Sequence, residues 1–439
     1  MISSKVRVAT TAYLSLVLVL VIGSASGAPV KITVWESFPE RDQFRINQEL
    51  AAEFNKLHPD IEVEVLGISY GTYPDRFIPS VIAGAGPDAF AITYVWVGYA
   101  ARGLLVDLTP YAKRDGVLEQ IRTDTFPGAQ TGIWWQGGLY AVPTSVGGGV
   151  MYYNPSLLAE SGVPEPKLGW TWEDWRSLGK RVQRTESDGQ VRVHGILAYH
   201  PWSGALPIWV QAGARFFDTD FRRAVVDQDL GIREALTFLG EMVDAGVYGY
   251  SGNFGFDTNE AFRRTTSSRV GFWLDIPRPK DLGAPIWENL RIAPALSMPG
   301  GEPATYAHWS GWAAVKSGDP KREAAAWEYI KWLTSPEKQG KEVALRGLIS
   351  DLPARRSVLR QRSVVDLVNR DENWARIVQQ VIPYGRSEGL FGAPIMDQFQ
   401  GQVLSPALTE AIRLNRRPVP ERVEKMQFDT QKLLDEFWK

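Results

Sequence analysis

Cysteine is absent from all 439 residues. That excludes disulfides, thiolate nucleophiles, cysteine-based metal sites and a lipid-modified cysteine behind a signal sequence. Histidine is scarce, with four copies at His58, His194, His200 and His308. No two stand at helical ligand spacing and HExxH does not occur, so each reads as a surface or ordinary hydrogen-bonded histidine. No metal and no other cofactor is expected. A charge of one sign is lacking as well: 48 basic residues face 50 acidic ones. Nothing there suggests nucleic acid or another polyanion as a partner. Phosphate-binding loops are missing too, since neither Gly84-Ala85-Gly86 nor Gly147-Gly148-Gly149 continues into a P-loop or dinucleotide fingerprint. There are no internal repeats or low-complexity tracts.

What is present begins with an address. Lys5 and Arg7 precede an apolar run from Val8 to Ile22, and Gly23 to Gly27 supplies small residues for a signal peptidase. The run is short for a bilayer span of roughly 20 residues. Residues 1–27 therefore read as a signal peptide cleaved after Gly27, leaving a net charge of about −4. A freely diffusing periplasmic protein without a lipid anchor is expected. The remaining length exceeds what one hydrophobic core normally supports, so two domains are expected. Tryptophan is abundant, with 17 copies beside 15 Tyr and 18 Phe. Large aromatic faces either fill cores or stack on flat ligands.

The chain is organised around Trp134 to Asn154, WWQGGLYAVPTSVGGGVMYYN. Trp134 to Tyr140 reads as two short apolar pieces about a glycine turn. Ala141 to Thr144 leaves extended, because Pro143 biases its predecessor towards β geometry. Three glycines then permit close backbone approach before the apolar strand Val150–Tyr153. Such a stretch is either a hairpin inside one domain or a crossing between two lobes. Upstream, Lys31–Trp35, a helix carrying Phe44, Asn47, Leu50 and Phe54, the alternating strand Ile61–Leu66, a helix from Arg76 to Ala83 and the strand Asp88–Ile92 follow one another. This β-α-β-α-β order predicts an α/β sheet with ligands at the carboxyl ends of its strands. Downstream, Thr171, Asp319-Pro320 and Ser335-Pro336 mark helix starts.

Candidate chemistry is limited. Gly67-Ile68-Ser69-Tyr70-Gly71 matches G-x-S-x-G formally, yet its preceding strand alternates with Glu62 and Glu64 and Pro74 follows. A nucleophile elbow needs a buried strand before it and a helix directly after it, so a loop is expected. Glu36, Asp88 and Asp275 sit near predicted strand ends and could form a glycosidase pair or bind hydroxyls. Tryptophans stand beside polar residues at such ends: Trp35 with Glu36, Tyr94 with Trp96, Trp202 with Ser203, Trp273 with Asp275, and Trp309 with Ser310 and Trp312. A pyranose has apolar C–H faces and a hydroxyl rim, which aromatic stacking and polar side chains match together. For one tryptophan core packing is the stronger reading; for the set, a carbohydrate site is favoured.

The motifs ITVWESF, EFNKLHPDIEVEV, GAGPDAFAI, GGLYAVPTSVGGGVMYYN, AFRRTTSSRVGFWLD, GWAAVKSGDPKREAAAWEYIKWLTSPEKQ and LISDLPAR occur in that order. In these the chain resembles the extracellular solute-binding proteins of bacterial ABC importers, the sugar-binding family related to maltose-binding protein. The resemblance implies a two-lobed periplasmic-binding-protein fold, α/β in class, with a hinge and a ligand cleft. It implies an N-terminal lobe of residues 28–142 plus 308–335 and a C-terminal lobe of 143–307 plus 336–439. By the same resemblance, ligand contacts fall at Trp35, Glu36, Tyr70, Tyr73, Asp88, Thr144, Trp202, Trp273, Asp275, Trp309, Gly311, Trp312 and Arg355, and the aromatic set adds Tyr94 and Trp96. The implied partners are a di- or oligosaccharide and the permease subunits of an inner-membrane transporter, served by a monomer that is not an enzyme. Glycerol 3-phosphate, its diesters or a polyol remain alternative ligands, with Arg355 or Arg278 as the cation for a phosphate. A secreted glycoside hydrolase is the rival class.

Overall fold

The computed structural model describes residues 28–37, 39, 42–69, 72–92, 97–189, 191–198, 201–250, 270–277, 284–387, 392–412 and 416–439. The expected signal peptide lies outside the described residues.

Strand β1 (Val30–Ser37) pairs in parallel with β2 (Ile61–Ile68) on one side and β3 (Ala89–Ile92) on the other. The helix Asp42–Leu57 connects the first two. It buries Ile46, Leu50, Ala51 and Phe54, so one apolar stripe covers the sheet. The second connection is the helix Tyr73–Ile82, which starts three residues earlier than its periodicity suggests because Pro74 opens it instead of interrupting it.

Trp134–Trp135 (β4) and Gly138–Leu139 (β5) form the expected hairpin. Its two-residue turn has positive φ at Gln136 (47°) and Gly137 (83°), the geometry that suits a right-twisted ribbon. The chain then enters β6 (Val142–Gly148), turns over Gly149, and continues as β7 (Val150–Tyr153). β6 belongs to the first sheet and β7 to a second one. The second sheet also holds β8 (Arg184–Thr185), β9 (Val191–Ala198), β10 (Tyr248–Tyr250), β11 (Val270–Asp275) and β12 (Arg291–Ile292). Its order is β10-β9-β11-β7-β12, with β8 at the edge of β9. The helix Trp172–Val182 packs here, opened by a full capping box between Thr171 and Asp174.

The long strand β13 (Thr305–Ala314) brings the chain back. It runs antiparallel to β6, from Ala307 opposite Gly148 to Trp312 opposite Val142, and lies against β3 on its other side. Where the two strands leave the first sheet, the Gly149 amide donates to Tyr306 O (3.2 Å) and Thr305 Oγ1 donates to Gly149 O (2.6 Å). A third segment, β15 (Gly385–Arg386), pairs with Thr305–Tyr306 at the same level. Residues from Ala393 onward then pack in the second core. Three chain crossings thus converge on Gly148–Gly149, Thr305–Tyr306 and Gly385–Arg386. The hairpin also reaches across, with Trp135 stacked on Trp438 (6.4 Å, 17°).

The sequence-based boundary at residue 335 is corrected by the packing. Pro336–Arg346 continues from Pro320–Leu333 around the same sheet, and its Lys338 and Lys341 reach Glu53 at 2.9 and 2.6 Å. Leu352–Pro353 (β14) adds an edge to β6, and Val358, Val364 and Val381 lie in the first core. The Ser335 cap and Pro336 therefore mark a corner between helices of one layer. A capped helix start looks the same in sequence whether the chain changes lobe or only direction.

The crossing leaves no room for side chains. A Cβ on Gly148 would stand 2.7 Å from Tyr306 O and 3.2 Å from Val381 Cγ2, and one on Gly149 would stand 2.4 Å from the Tyr306 ring. Gly148→Val is expected to destabilise the protein by about 1–3 kcal/mol, since the contact is with backbone that must shift. Urea melts check this. A midpoint unchanged from wild type would show that the crossing accommodates a side chain.

Candidate functional site

The carboxyl end of β1 delivers Glu36 to a cavity of about 140 Å³. Ala91 of β3, Thr144 and Ser145 of β6, and Ser310, Gly311 and Trp312 of β13 form its floor. Gln43 and Asn47 from the helix Asp42–Leu57 form one wall, and Glu342, Arg346 and Asp351 form the other. The irregularity of β13 between Ser310 and Gly311 lies in this floor, where a Cβ on Gly311 would meet Val142 O at 2.4 Å. Only glycine allows β6 and β13 to close there.

Many of the cavity's polar groups are engaged with one another. Asn47 Nδ2 donates to Glu36 Oε2 (2.7 Å), and Gln43 Nε2 donates to Asn47 Oδ1 (3.1 Å). Arg346 Nε donates to Glu342 Oε1 (3.0 Å). Ser145 Oγ donates to Asp351 Oδ2 (3.0 Å), whose other oxygen lies 3.1 Å from His308 Nε2. Thr144 Oγ1 donates to Ser310 O (3.3 Å). The contacts of His308 and Ser145 hold the Asp351 carboxyl below its ordinary range although burial acts the other way. Glu36 behaves oppositely. It is 5% exposed, and burial, helped by the charge of Glu342, pushes it up to about 8 against the lowering effect of Asn47.

Of the residues expected to touch ligand, the cavity brings together Glu36, Thr144, Gly311 and Trp312. Asp275 ends β11 at the carboxyl edge of the second sheet, buried, with the Ile276 amide donating to it (2.8 Å). Tyr70, Tyr94 and Trp96 lie outside the described residues. Trp202 belongs to the helix Pro201–Gln211, and its side chain is outside what is described. Several others are corrected to packing roles. Trp35 and Tyr73 are buried edge-to-face at 5.9 Å. Trp273 is fully buried beneath the second sheet, and Trp309 is fully buried with its indole donating to Thr131 O (2.9 Å). A tryptophan inside a strand buried on both faces is core by position, however polar its neighbour in sequence.

Asp88 lies at the opposite end of β3 from the cavity. Its Oδ2 accepts from the Thr33 amide and from Arg322 Nη2, both at 2.8 Å, and Arg322 Nε stands 2.8 Å from Oδ1. It clamps the sheet to the helix Pro320–Leu333. Arg355 is buried at the start of the short helix Arg356–Leu359, away from the cavity lining, and burial lowers its guanidinium to about 10. Arg278 lies outside the described residues. The residues that sequence reasoning missed are Gln43, Asn47, Ser145, Glu342, Arg346 and Asp351. One signal was available: Asn47 interrupts the otherwise apolar stripe of its helix, and a buried polar group needs a partner. Among the described residues there is no group of three or more His, Asp or Glu fit to hold a metal, and no helix long and apolar enough to cross a membrane.

Residues 40–340 match the family described as bacterial extracellular solute-binding protein. The chain is 26% identical over 228 residues to an arabinooligosaccharide-binding protein of Bacillus subtilis (strain 168), covering 50% of this chain and 49% of that one. The match thus spans about half the length of that relative. It is 25% identical over 339 residues to an erythritol/L-threitol-binding protein of Mycolicibacterium smegmatis, covering 71% of this chain and 68% of that one. In structure it resembles the sugar-binding protein MalE from Xanthomonas citri, with a TM-score of 0.76 at 21% identity over 93% of this chain and 98% of that one. The fold is accordingly the two-lobed α/β architecture.

The packing role of Asp88 is testable. Asp88→Asn is expected to cost about 1–2 kcal/mol, because the Thr33 and Arg322 contacts weaken while Arg322 stays partly solvated, with the affinity for any cleft ligand unchanged; calorimetric melting and ligand titration read the two separately. Glu36 has a pH signature. An acid whose folded value lies above its unfolded value contributes stability at low pH that is lost as pH rises from about 4.5 towards about 8. The melting temperature of Glu36→Gln relative to wild type should therefore climb between pH 5 and 8.5, and a constant difference would contradict the assignment.

Proposed function

The chain belongs to the bacterial extracellular solute-binding proteins, and from that premise we propose that it captures a di- or oligosaccharide between its lobes and presents it to the permease of an ABC importer. One observation carries the reading. The cavity at the carboxyl ends of β1 and β3 is floored by β6 and β13, the two strands that also cross between the lobes. A ligand seated there rests on the strands that lead into the crossing, and contacts added by the second lobe on closure would stabilise the closed form by their differential affinity. The oligosaccharide and polyol named for the two relatives support an uncharged polyhydroxylated ligand. The protein is proposed to act after export, as a periplasmic monomer without a lipid anchor, and to make or break no bond.

Arabinotriose, maltotriose, erythritol and ribitol form the first screen. The binder should stabilise the protein by about 2.7 kcal/mol at a hundred times its Kd, raise the melting temperature and change tryptophan fluorescence without being consumed. Hydrolysis of an oligosaccharide or aryl glycoside by the pure protein would replace the binding reading with a glycosidase one.

A further inference from the structure

We propose that Glu36 meets the ligand as an uncharged carboxyl group donating a hydrogen bond, and that this restricts the cavity to uncharged polyhydroxylated ligands against phosphate-bearing ones. The inference rests on carbohydrate capture at this site.

Glu36 Oε2 is taken by Asn47 Nδ2, and Asn47 is itself oriented by Gln43. Among the described residues no donor reaches Oε1, although the side chain is 95% buried and lines the cavity. The groups that face it come from four elements. Tyr73 and Tyr329 approach from the helices Tyr73–Ile82 and Pro320–Leu333, and both phenol hydroxyls are buried without a hydrogen-bond partner. Glu342 and Arg346 approach from Pro336–Arg346, and Asp351 closes the far wall. None of these supplies a free cation. Arg346 is committed to Glu342 and to Gly347 O, and His308 to Asp351.

An ionised Glu36 would thus be a third carboxylate in a buried space whose one arginine and one histidine are already paired. Burial without a counter-charge favours the protonated acid. A protonated carboxyl has an O–H to give, and a sugar hydroxyl can accept it without bringing charge. A phosphate would add negative charge beside Glu342 and Asp351 and find no uncommitted partner. Discrimination here comes from the unpaired charge that the wrong ligand would bury.

Isothermal titration of the full protein tests this, using the tightest binder among arabinotriose, maltotriose, erythritol and ribitol, with glycerol 3-phosphate and glycerophosphocholine as the phosphate probes. The neutral probe should bind with constant affinity to about pH 7.5 and lose about tenfold per unit above about pH 8, taking up a proton on binding there. Glu36→Gln, which donates but cannot ionise, should bind a few-fold more weakly with no such slope. A merely structural glutamate would not move the profile. A flat or rising wild-type profile, or a phosphate probe that outcompetes every neutral one, overturns the inference and leaves carbohydrate capture standing. If none of the probes binds at any pH, the carbohydrate reading falls and takes this one with it.

Discussion

The antiparallel pairing of β6 with β13 is the interaction on which the rest of the structure depends. It holds the first sheet together between the β14 edge and the parallel β1–β3 group, and it continues to the point where both strands leave that sheet. Backbone hydrogen bonds at Gly149 and Thr305 extend the pairing through the crossing. Close approach of the two chains at Gly148, Gly149 and Gly311 is what makes this possible, since a Cβ at any of them would fall inside contact distance of backbone or ring atoms. The same two strands form the cavity floor, so the cavity and the lobe connection are parts of one ladder.

The charge arrangement follows from where that ladder lies. Three carboxyl groups, Glu36, Glu342 and Asp351, converge on the cavity between two helices and the sheet. Two of them are matched, by Arg346 and by His308 with Ser145. The third is held by a neutral amide, so burial governs it and raises its affinity for a proton. The contrast between Asp351 and Glu36 is instructive. Burial raises both, but at Asp351 the contacts of His308 and Ser145 outweigh it, whereas at Glu36 the Asn47 amide does not.

Much of the architecture was legible along the chain. Alternation in Ile61–Leu66, the apolar face of Asp42–Leu57, the caps at Thr171, Asp319 and Ser335, and the glycine turn at Gln136–Gly137 are local features, and local hydrogen bonding and steric limits decide them. The site was legible only in part. Glu36, Thr144, Gly311 and Trp312 were reachable because strand ends and glycines mark themselves. Glu342, Arg346 and Asp351 were not, because they come from a segment assigned to the other lobe, and their approach to Glu36 depends on how the helix Pro336–Arg346 turns back on the sheet.

The sequence by itself determined many of the local elements, the α/β class and the family, whereas the first crossing, expected after residue 142, falls at Gly149. The first three rest on periodicity, capping and backbone restrictions that act over a few residues. Only the tertiary structure decided which tryptophans are core, that Asp88 clamps a helix, where the crossing segments return, and which carboxyl group remains without a counter-charge. Those outcomes depend on distances between residues hundreds of positions apart, such as the 2.8 Å between Arg322 and Asp88. They are set by packing, which a linear pattern does not encode residue by residue.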